Sequence, residues 1–544
     1  MKITGNIVSV EHHEIFAGEI HVEGNRIKKI VVLKKKPDPS MSYILPGFID
    51  AHVHIESTMV TPQYFANHVV QFGTLGVVTD PHEISNVCGI EGFDYMYREG
   101  QKAPINIHFG IPSCVPATPF ESSGAIFDPG AIEYLFNKYE AVALSEMMNF
   151  PGVVNGFPDV MKKLEIARKN NKVIDGHAPA LRGQDLHTYI EAGISTDHEA
   201  FSYDEAKEKI KLGMMIQIRE GSAARNFEAL HELIAEYPDK VMFCTDDAHP
   251  DTLIQGHIDR IVKLAIKKGH SVFDVLKAAS INTIQHYNLP IGQLKSRDYA
   301  DFIVVNNLEE LHVQESYLKG TQIFNRDKAV KKIENNTVVN QFHVDPVNIE
   351  QFKLKDQGKP VRVIQALDGA LITKKNSAQL PVKDGLVQSD LENDILKMVV
   401  VNRYQKVPEL RIGFITGFNL KKGAFASSIA HDSHNLICVG TNDHDMLMAL
   451  NTLIAEQGGI STSVERQCEV VPLPVAGLMA NETIDNMAVK YKKLDQNVKK
   501  MGSKFEAPFM TLAFMSLLVI PSLKLGDKGL FDVDKFEFVD LFID

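Results

Sequence analysis

At 544 residues the chain is too long for one ordinary domain, and its 44% hydrophobic and 23% charged content is that of a globular protein able to bury a large core. The formal charge of -12 argues against a nucleic-acid partner, because phosphate neutralisation needs a basic surface, and favours a neutral or cationic small molecule. Cys88, Cys114, Cys244, Cys438 and Cys468 are scattered without a CxxC pair, which argues against a disulfide framework or a cysteine zinc site and points to the reducing cytoplasm.

The chain opens on MKITGNIVSV, which lacks the continuous apolar core of a signal peptide. The first stretch, MKITGNIVSVEHHEIFAGEIHVEGNRIKKIVVL, reads as strands joined by turns at Gly18 and Gly24, and Lys34 to Lys36 as a solvated loop. From Leu45 to Pro290, short apolar runs alternate with amphipathic stretches in the pattern of repeated βα units. The strand-like runs are YILPGFIDAHVHI, LGVVTDPHE, INIHFGIPS, AVALSEMMN, KVIDGHAP, GISTDHEA, GMMIQIREGS and VMFCTDDAHP. Between them, DVMKKLEIARKNNK (Asp159 to Lys172) places Val160, Leu164 and Ala167 on one helical face. Eight such units predict a TIM (β/α)8-type barrel, whose site lies at the C-terminal ends of the strands.

After the barrel, IGQLKSRDYADFIVVNN (Ile291 to Asn307) is strand-like again, and the two flanks are expected to pair into a small β-sandwich interrupted by the barrel. The remainder, with a polar stretch KDQGKPVRVIQAL near its start, reads as mixed strands and helices. The expected class is therefore α/β, with residues 1–46 and 297–345 as a composite β domain, 47–296 as the barrel and 346–544 as a C-terminal α+β domain. The longest apolar run, FMTLAFMSLLVI, stops at Pro521, short of the roughly 20 residues a bilayer demands, so no membrane is expected.

In PGFIDAHVHIES (Pro46 to Ser57), His52 and His54 alternate in phase on the first strand, so both imidazoles point to one face at the barrel mouth. Two neutral imidazoles aimed at one point are good transition-metal ligands, although HxH alone reads equally as two polar residues on an exposed strand. Other strand ends repeat the signal: Glu146 ends the fourth run, His177 the fifth, His198 the sixth and Asp246 the eighth. Asp, Glu and His together fill about one position in six, so their recurrence at all these ends outweighs a reading as caps and loop residues.

PGFIDAHVH after a short β segment, single histidines ending the fifth and sixth strands and TDD ending the eighth resemble the amidohydrolase superfamily. IDAHVHIEST, VTDPHE, SEMMN, DGHAP and HDSHN narrow the resemblance to its bacterial adenine deaminase branch, over essentially the whole chain. The resemblance implies a binuclear divalent metal centre, with His52, His54 and Asp246 on the more buried ion and His177 and His198 on the second. Glu146 would bridge them, where many superfamily members use a carboxylated lysine; no lysine stands at this strand end. Manganese is the implied metal, and a shell of imidazole and oxygen without thiolate also accepts iron or zinc.

The same resemblance implies hydrolysis of adenine to hypoxanthine and ammonia by attack of a metal-bridging hydroxide on C6, with Asp246 passing the proton toward the leaving amine. A second acid protonates a ring nitrogen; Glu83 in DPHE is nominated, with His82 as alternative, and a carboxylate opening the next helix is an equal reading of Glu83. A symmetric homo-oligomer is expected of such a barrel. The competing readings are a cyclic amide hydrolase of the dihydroorotase or hydantoinase kind, which the missing lysine disfavours, and a non-catalytic metal-binding barrel, which six inward ligands disfavour. HVE occurs at His21 to Glu23, but the PCxxC partner of the zinc nucleobase deaminases is absent.

Further residues are ambiguous in sequence. His431 and His434 in HDSHN either reach over the mouth to contact purine nitrogens or satisfy a turn, and Asp432 and Asn435 favour the turn. Arg219 and Glu220, ending the seventh run, either grip substrate or pair with each other, and His249 lines the pocket as a donor beyond those needed. His12, His13, His257, His270 and His286 read as surface or capping residues, and Gly458-Gly459 is too little for a phosphate loop.

Overall fold

The computed structural model describes residues 1–222, 224–328, 333 and 337–543, so part of the flank expected to run to residue 345 lies outside the described residues. The N-terminal flank forms β1 (Lys2–Ser9), β2 (Glu14–Glu23), β3 (Arg26–Lys34) and β4 (Tyr43–Leu45). The eight expected barrel strands follow as β5 (Phe48–Val53), β6 (Thr74–Thr79), β7 (Asn106–Ile111), β8 (Ala141–Met147), β9 (Val173–Gly176), β10 (Thr196–Asp197), β11 (Met215–Arg219) and β12 (Val241–Cys244). The chain then makes β13 (Phe302–Val305), β14 (Val313–Leu318) and β15 (Thr321–Asn325).

The two flanks meet where β4 pairs antiparallel with β13, Ile44 opposite Val304, giving one continuous sheet in the order β15-β14-β13-β4-β1-β2-β3. Side-chain alternation decides what each face covers. Ile7, Ile44, Phe302 and Val304 join Ile20 and Tyr317 in the sheet's own core, while their neighbours Val8, Leu45, Ile303 and Val305 pack with Phe227, Ile258 and Val275 of the barrel half. A one-residue slip would exchange the two faces. Gly18, expected at a turn, instead sits inside β2 opposite Gly5, where an added Cβ would lie 2.7 Å from the Val31 carbonyl oxygen. The turn falls earlier, in the polar stretch that includes His13, whose φ of 52° is left-handed.

Parallel ladders run through β5 to β9 and through β10 to β12. Ser195 N–H donates to the Ile174 carbonyl at 3.0 Å across the first gap. Asp246 N–H donates to the His52 carbonyl at 3.0 Å across the second, so the barrel closes at the ends of β5 and β12. Outside it, the helix Pro158–Lys169 buries Val160, Leu164 and Ala167 as expected, together with Ile166.

The C-terminal region builds an eight-stranded sheet, mostly antiparallel, from Val361–Gln365 to Gln467–Pro472. Alternation again divides its faces. In the strand Leu396–Val401, Val399 and Val401 pack under the helix Asp443–Ala455, while Met398 and Val400 join the large apolar cluster that also holds Val53, Ile55 and Met59 of the barrel. The sheet is thereby seated on the barrel. FMTLAFMSLLVI becomes a short helix, Pro508–Ala513, and a following 3-10 turn, both buried; among the described residues no helix is long and apolar enough to cross a membrane.

Within this interface Lys524 is fully buried, and its Nζ donates to the carbonyls of Leu371 at 2.8 Å and Phe514 at 2.9 Å, with no carboxylate partner among the described residues. Burial pushes its ammonium down to about 7. The unfolded chain, with an ordinary lysine, then binds more protons than the folded one between about pH 7 and 10, so this residue makes stability rise with pH across that window. Lys524→Met is expected to flatten the rise, read as urea midpoints at neutral and alkaline pH; parallel slopes in parent and variant would show the lysine is charged in the fold.

Candidate metal centre at the barrel mouth

At the closed end of β5, the Nε2 atoms of His52 and His54 lie 3.1 Å apart. Asp246 Oδ1, from the end of β12, is 3.1 Å from His54 Nε2 and 3.7 Å from His52 Nε2. Glu146 at the end of β8 stands between the histidine pairs: Oε1 is 3.3 Å from His54 Nε2, while Oε2 is 2.9 Å from His177 Nδ1 and 3.3 Å from His198 Nε2. The structure thus brings His52, His54, Glu146, His177, His198 and Asp246 into one cluster, none more than 8% exposed.

Local hydrogen bonds explain why these side chains converge. His54 Nδ1 lies 3.0 Å from the Asp80 carbonyl, which takes its proton and leaves Nε2 with a lone pair. Asp50 staples β5 to β12 by accepting from His52 N–H at 3.1 Å and Thr245 N–H at 3.2 Å. His257 Nε2 lies 3.1 Å from the other Asp50 oxygen, so this histidine, expected at the surface or at a cap, stands at the N-cap position of the helix Ile258–Lys267 but is buried and makes no side-chain cap bond. Its ring turns inward just before the helix Ile258–Lys267 begins. The Tyr189 hydroxyl accepts from His177 N–H at 3.0 Å and donates to the Met147 carbonyl at 2.8 Å, joining the ends of β8 and β9. Asp246 itself has a φ of 54°, a left-handed conformation that Asp tolerates better than most residues.

Arg219 does not pair with Glu220. Its guanidinium is buried between Glu199, at 2.6 and 3.1 Å, and Asp246 Oδ2. Burial would raise the Asp246 carboxyl, but the Arg219 charge and the His54 contact outweigh it and hold the group well below the usual carboxylate range. Glu199 was not among the sequence candidates, yet its carboxylate lies 3.7 Å from His177 Nδ1 and 3.6 Å from His198 Nε2; its position directly after His198 was the available signal. Asp80 and His82 likewise join His54 and Glu146 in a set of mutually close donors.

HDSHN does turn, but the turn reaches the barrel mouth, against the preference drawn from sequence. His434 Nε2 is 3.4 Å from Glu83 Oε2, Asp432 Oδ1 is 3.7 Å from His82 Nε2, and the His431 ring stacks on Phe514 at 4.4 Å. Docking of the C-terminal sheet produces this contact, and no local pattern reports docking. Glu83 opens the helix His82–Gly100 and is also fully buried, with Ser57 Oγ donating to its Oε1 at 2.9 Å; burial raises its carboxyl. Burial alone would lower His82, but Asp80 and Asp432 hold it well above the ordinary imidazole range. Glu83 Oε2, His431 Nε2 and both His434 ring nitrogens are buried without hydrogen-bond partners among the described residues, a grouping that suits a polar ligand. His249 hydrogen-bonds Tyr491 through Nδ1 at 2.9 Å and is pushed down to about 4 by burial, so it anchors the helix Ile484–Lys500 instead of joining the cluster. His12 and His13 are exposed as expected.

The profile of the Amidohydrolase family matches residues 43–346, and that of the Adenine deaminase C-terminal domain matches residues 370–537. The adenine deaminase of Methanosarcina mazei is 51% identical over the whole of both chains. That of Methanosarcina acetivorans is 50% identical over 99% of each, and that of Parabacteroides distasonis is 46% identical over all of this chain and 99% of its own. The chain belongs to the adenine deaminase family.

Its amidohydrolase barrel implies a divalent metal, and the residues fit one. Imidazole nitrogens crowded to 3.1 Å, with carboxylate oxygens beside them and no thiolate in the cluster, are a donor set for divalent transition ions. In this adenine deaminase family member the framework beneath the donors is separately testable. Asp50→Ala strands two buried N–H donors and is expected to lower the stability of the metal-stripped protein by about 3 kcal/mol in denaturant unfolding; a loss below about 1 kcal/mol would remove Asp50 as the staple.

Proposed function

We propose that the protein hydrolyses adenine to hypoxanthine and ammonia with two divalent metals, of which manganese is the first choice. Full-length similarity to relatives named adenine deaminases supports the reaction. The single geometric observation behind the two-metal reading is the Glu146 carboxylate, one oxygen toward His54 and the other toward His177 and His198. In this reading His52, His54 and Asp246 hold one ion, His177 and His198 the other, and Glu146 is shared. Imidazole and oxygen donors without thiolate support manganese, and iron or zinc fit the same shell. Five free cysteines support a cytoplasmic setting.

When bound, the metals supply a water acidified to near neutral pH. The chain's own groups do the rest. Asp246, kept ionised by Arg219, accepts a proton at Oδ1, the oxygen facing His54, and returns it toward the leaving amine. Glu83, whose carboxyl is raised by burial and which Ser57 orients, donates to a ring nitrogen as C6 becomes tetrahedral, neutralising the charge that builds on the purine. His82, 3.3 Å from Asp80 and 3.7 Å from Asp432, is the alternative acid. His431 and His434 close over the purine and offer it their unpartnered ring nitrogens, and the surrounding turn excludes water.

The test is ammonia release from adenine by metal-stripped protein titrated with manganese, with activity expected to rise until two ions are bound per chain. Two bound ions without ammonia would sink the adenine assignment and move the substrate to cyclic amides. Glu83→Gln is expected to lower kcat by about 10²- to 10⁴-fold at unchanged metal content, and turnover near that of the parent would remove it as the acid. Glu146→Gln is expected to lower metal content and turnover together; normal activity with two ions bound would end its bridging role.

A further inference from the structure

The helix Tyr203–Lys211, YDEAKEKIK, is dominated by charged residues, and one of its lysines turns inward. Lys209 is fully buried together with Asp197, and Glu205 is 4% exposed. An ammonium has three N–H donors, and Lys209 uses all of them: on the Ala178 carbonyl at 2.8 Å, Asp197 Oδ2 at 2.9 Å and Glu205 Oε1 at 2.7 Å. Asp197 Oδ1 accepts from Ala178 N–H at 2.9 Å, and Glu205 accepts from Ala180 N–H at 2.9 Å and from Phe201 N–H at 3.2 Å.

These contacts place the triad one residue from two metal-centre histidines. Ala178, held at both its N–H and its carbonyl, follows His177; Asp197 precedes His198. One buried group therefore fixes where β9 and β10 release their histidines. Among the described residues its hydrogen bonds do not reach β5 or β12, whose ends are stapled separately by Asp50. A buried ion triad is a poor device for stability alone, because apolar replacements of such groups are often neutral or stabilising. When all three groups are ionised, one positive charge also faces two negative ones, and the surplus favours a cation nearby.

We infer that Lys209, with Asp197 and Glu205, is a positioning group that sets the affinity of the His177–His198 half of the centre for its ion, independently of the His52–His54–Asp246 half. The inference rests on the two-metal reading above. Outer groups that orient ligands in this way change metal affinity by about 10- to 100-fold when removed.

The experiment is a manganese titration of the metal-stripped full chain, following bound ion and the electron paramagnetic resonance signal of coupled against single Mn2+. In Lys209→Met the first ion is expected to bind as in the parent and the second about 10- to 100-fold more weakly, with excess manganese restoring the coupled signal. Asp197→Asn keeps an acceptor for Ala178 N–H while removing a charge, and is expected to lose part of the same affinity. Circular dichroism and the unfolding midpoint of the metal-free variants check that the fold is intact. Parental affinity for both ions in the two variants overturns the inference, as does equal weakening of both ions, which would mark a general structural role. If Lys209→Met does not fold, Asp197→Asn decides alone, and parental affinity there overturns the inference. A parent that binds fewer than two ions overturns the two-metal reading itself, and the parent's own titration separates that failure from this one.

Discussion

Carboxylates and imidazoles can be crowded into one dry volume only if cations join them and if the backbone beneath is too stiff to let them drift apart. That constraint organises this protein. Each strand end that delivers a donor is tied to a neighbouring end through a buried polar group: Asp50 between β5 and β12, Tyr189 between β8 and β9, and Lys209 with Asp197 between β9 and β10. The barrel supplies approximate direction through strand periodicity, and these links supply the finer placement that metal chemistry requires.

The C-terminal sheet completes what the barrel begins. Its alternating strands cover one face with their own helix and give the other to the apolar cluster shared with the barrel, so the HDSHN turn is carried to the mouth by packing. Arg403, fully buried, holds that turn by donating to the His434 carbonyl at 3.3 Å and to the Ala476 carbonyl at 2.9 Å. The barrel thus provides the donors crowded at its strand ends, and the docked sheet brings Asp432, His431 and His434 against the side of that cluster where His82 and Glu83 stand.

The residues legible in the sequence were those whose position is set by local periodicity. His52, His54, Glu146, His177, His198 and Asp246 all end apolar runs, and an inward strand end is a place that a sequence can announce. Other site residues act across sequence distance. Asp50 and His257 lie on separate elements and meet only when the barrel closes, so nothing local to His257 announces the contact. Lys209 was hidden in a helix whose other lysines serve the surface, and only the three-dimensional count of its donors sets it apart. Glu199 stood in plain view beside His198, but a residue next to a strand-end histidine ordinarily points away from it. Gly18 misled for the opposite reason, since its lack of a side chain serves close packing within a strand and not a turn.

The closure of the barrel limits how its donors can change. The pairing of β5 with β12 runs through the backbone of His52, His54 and Asp246, the same residues whose side chains meet in the donor cluster. Seam and chemistry therefore share their amino acids. A substitution that alters the donors here also alters how the cylinder is sewn shut, whereas the turn above the mouth lies outside that seam.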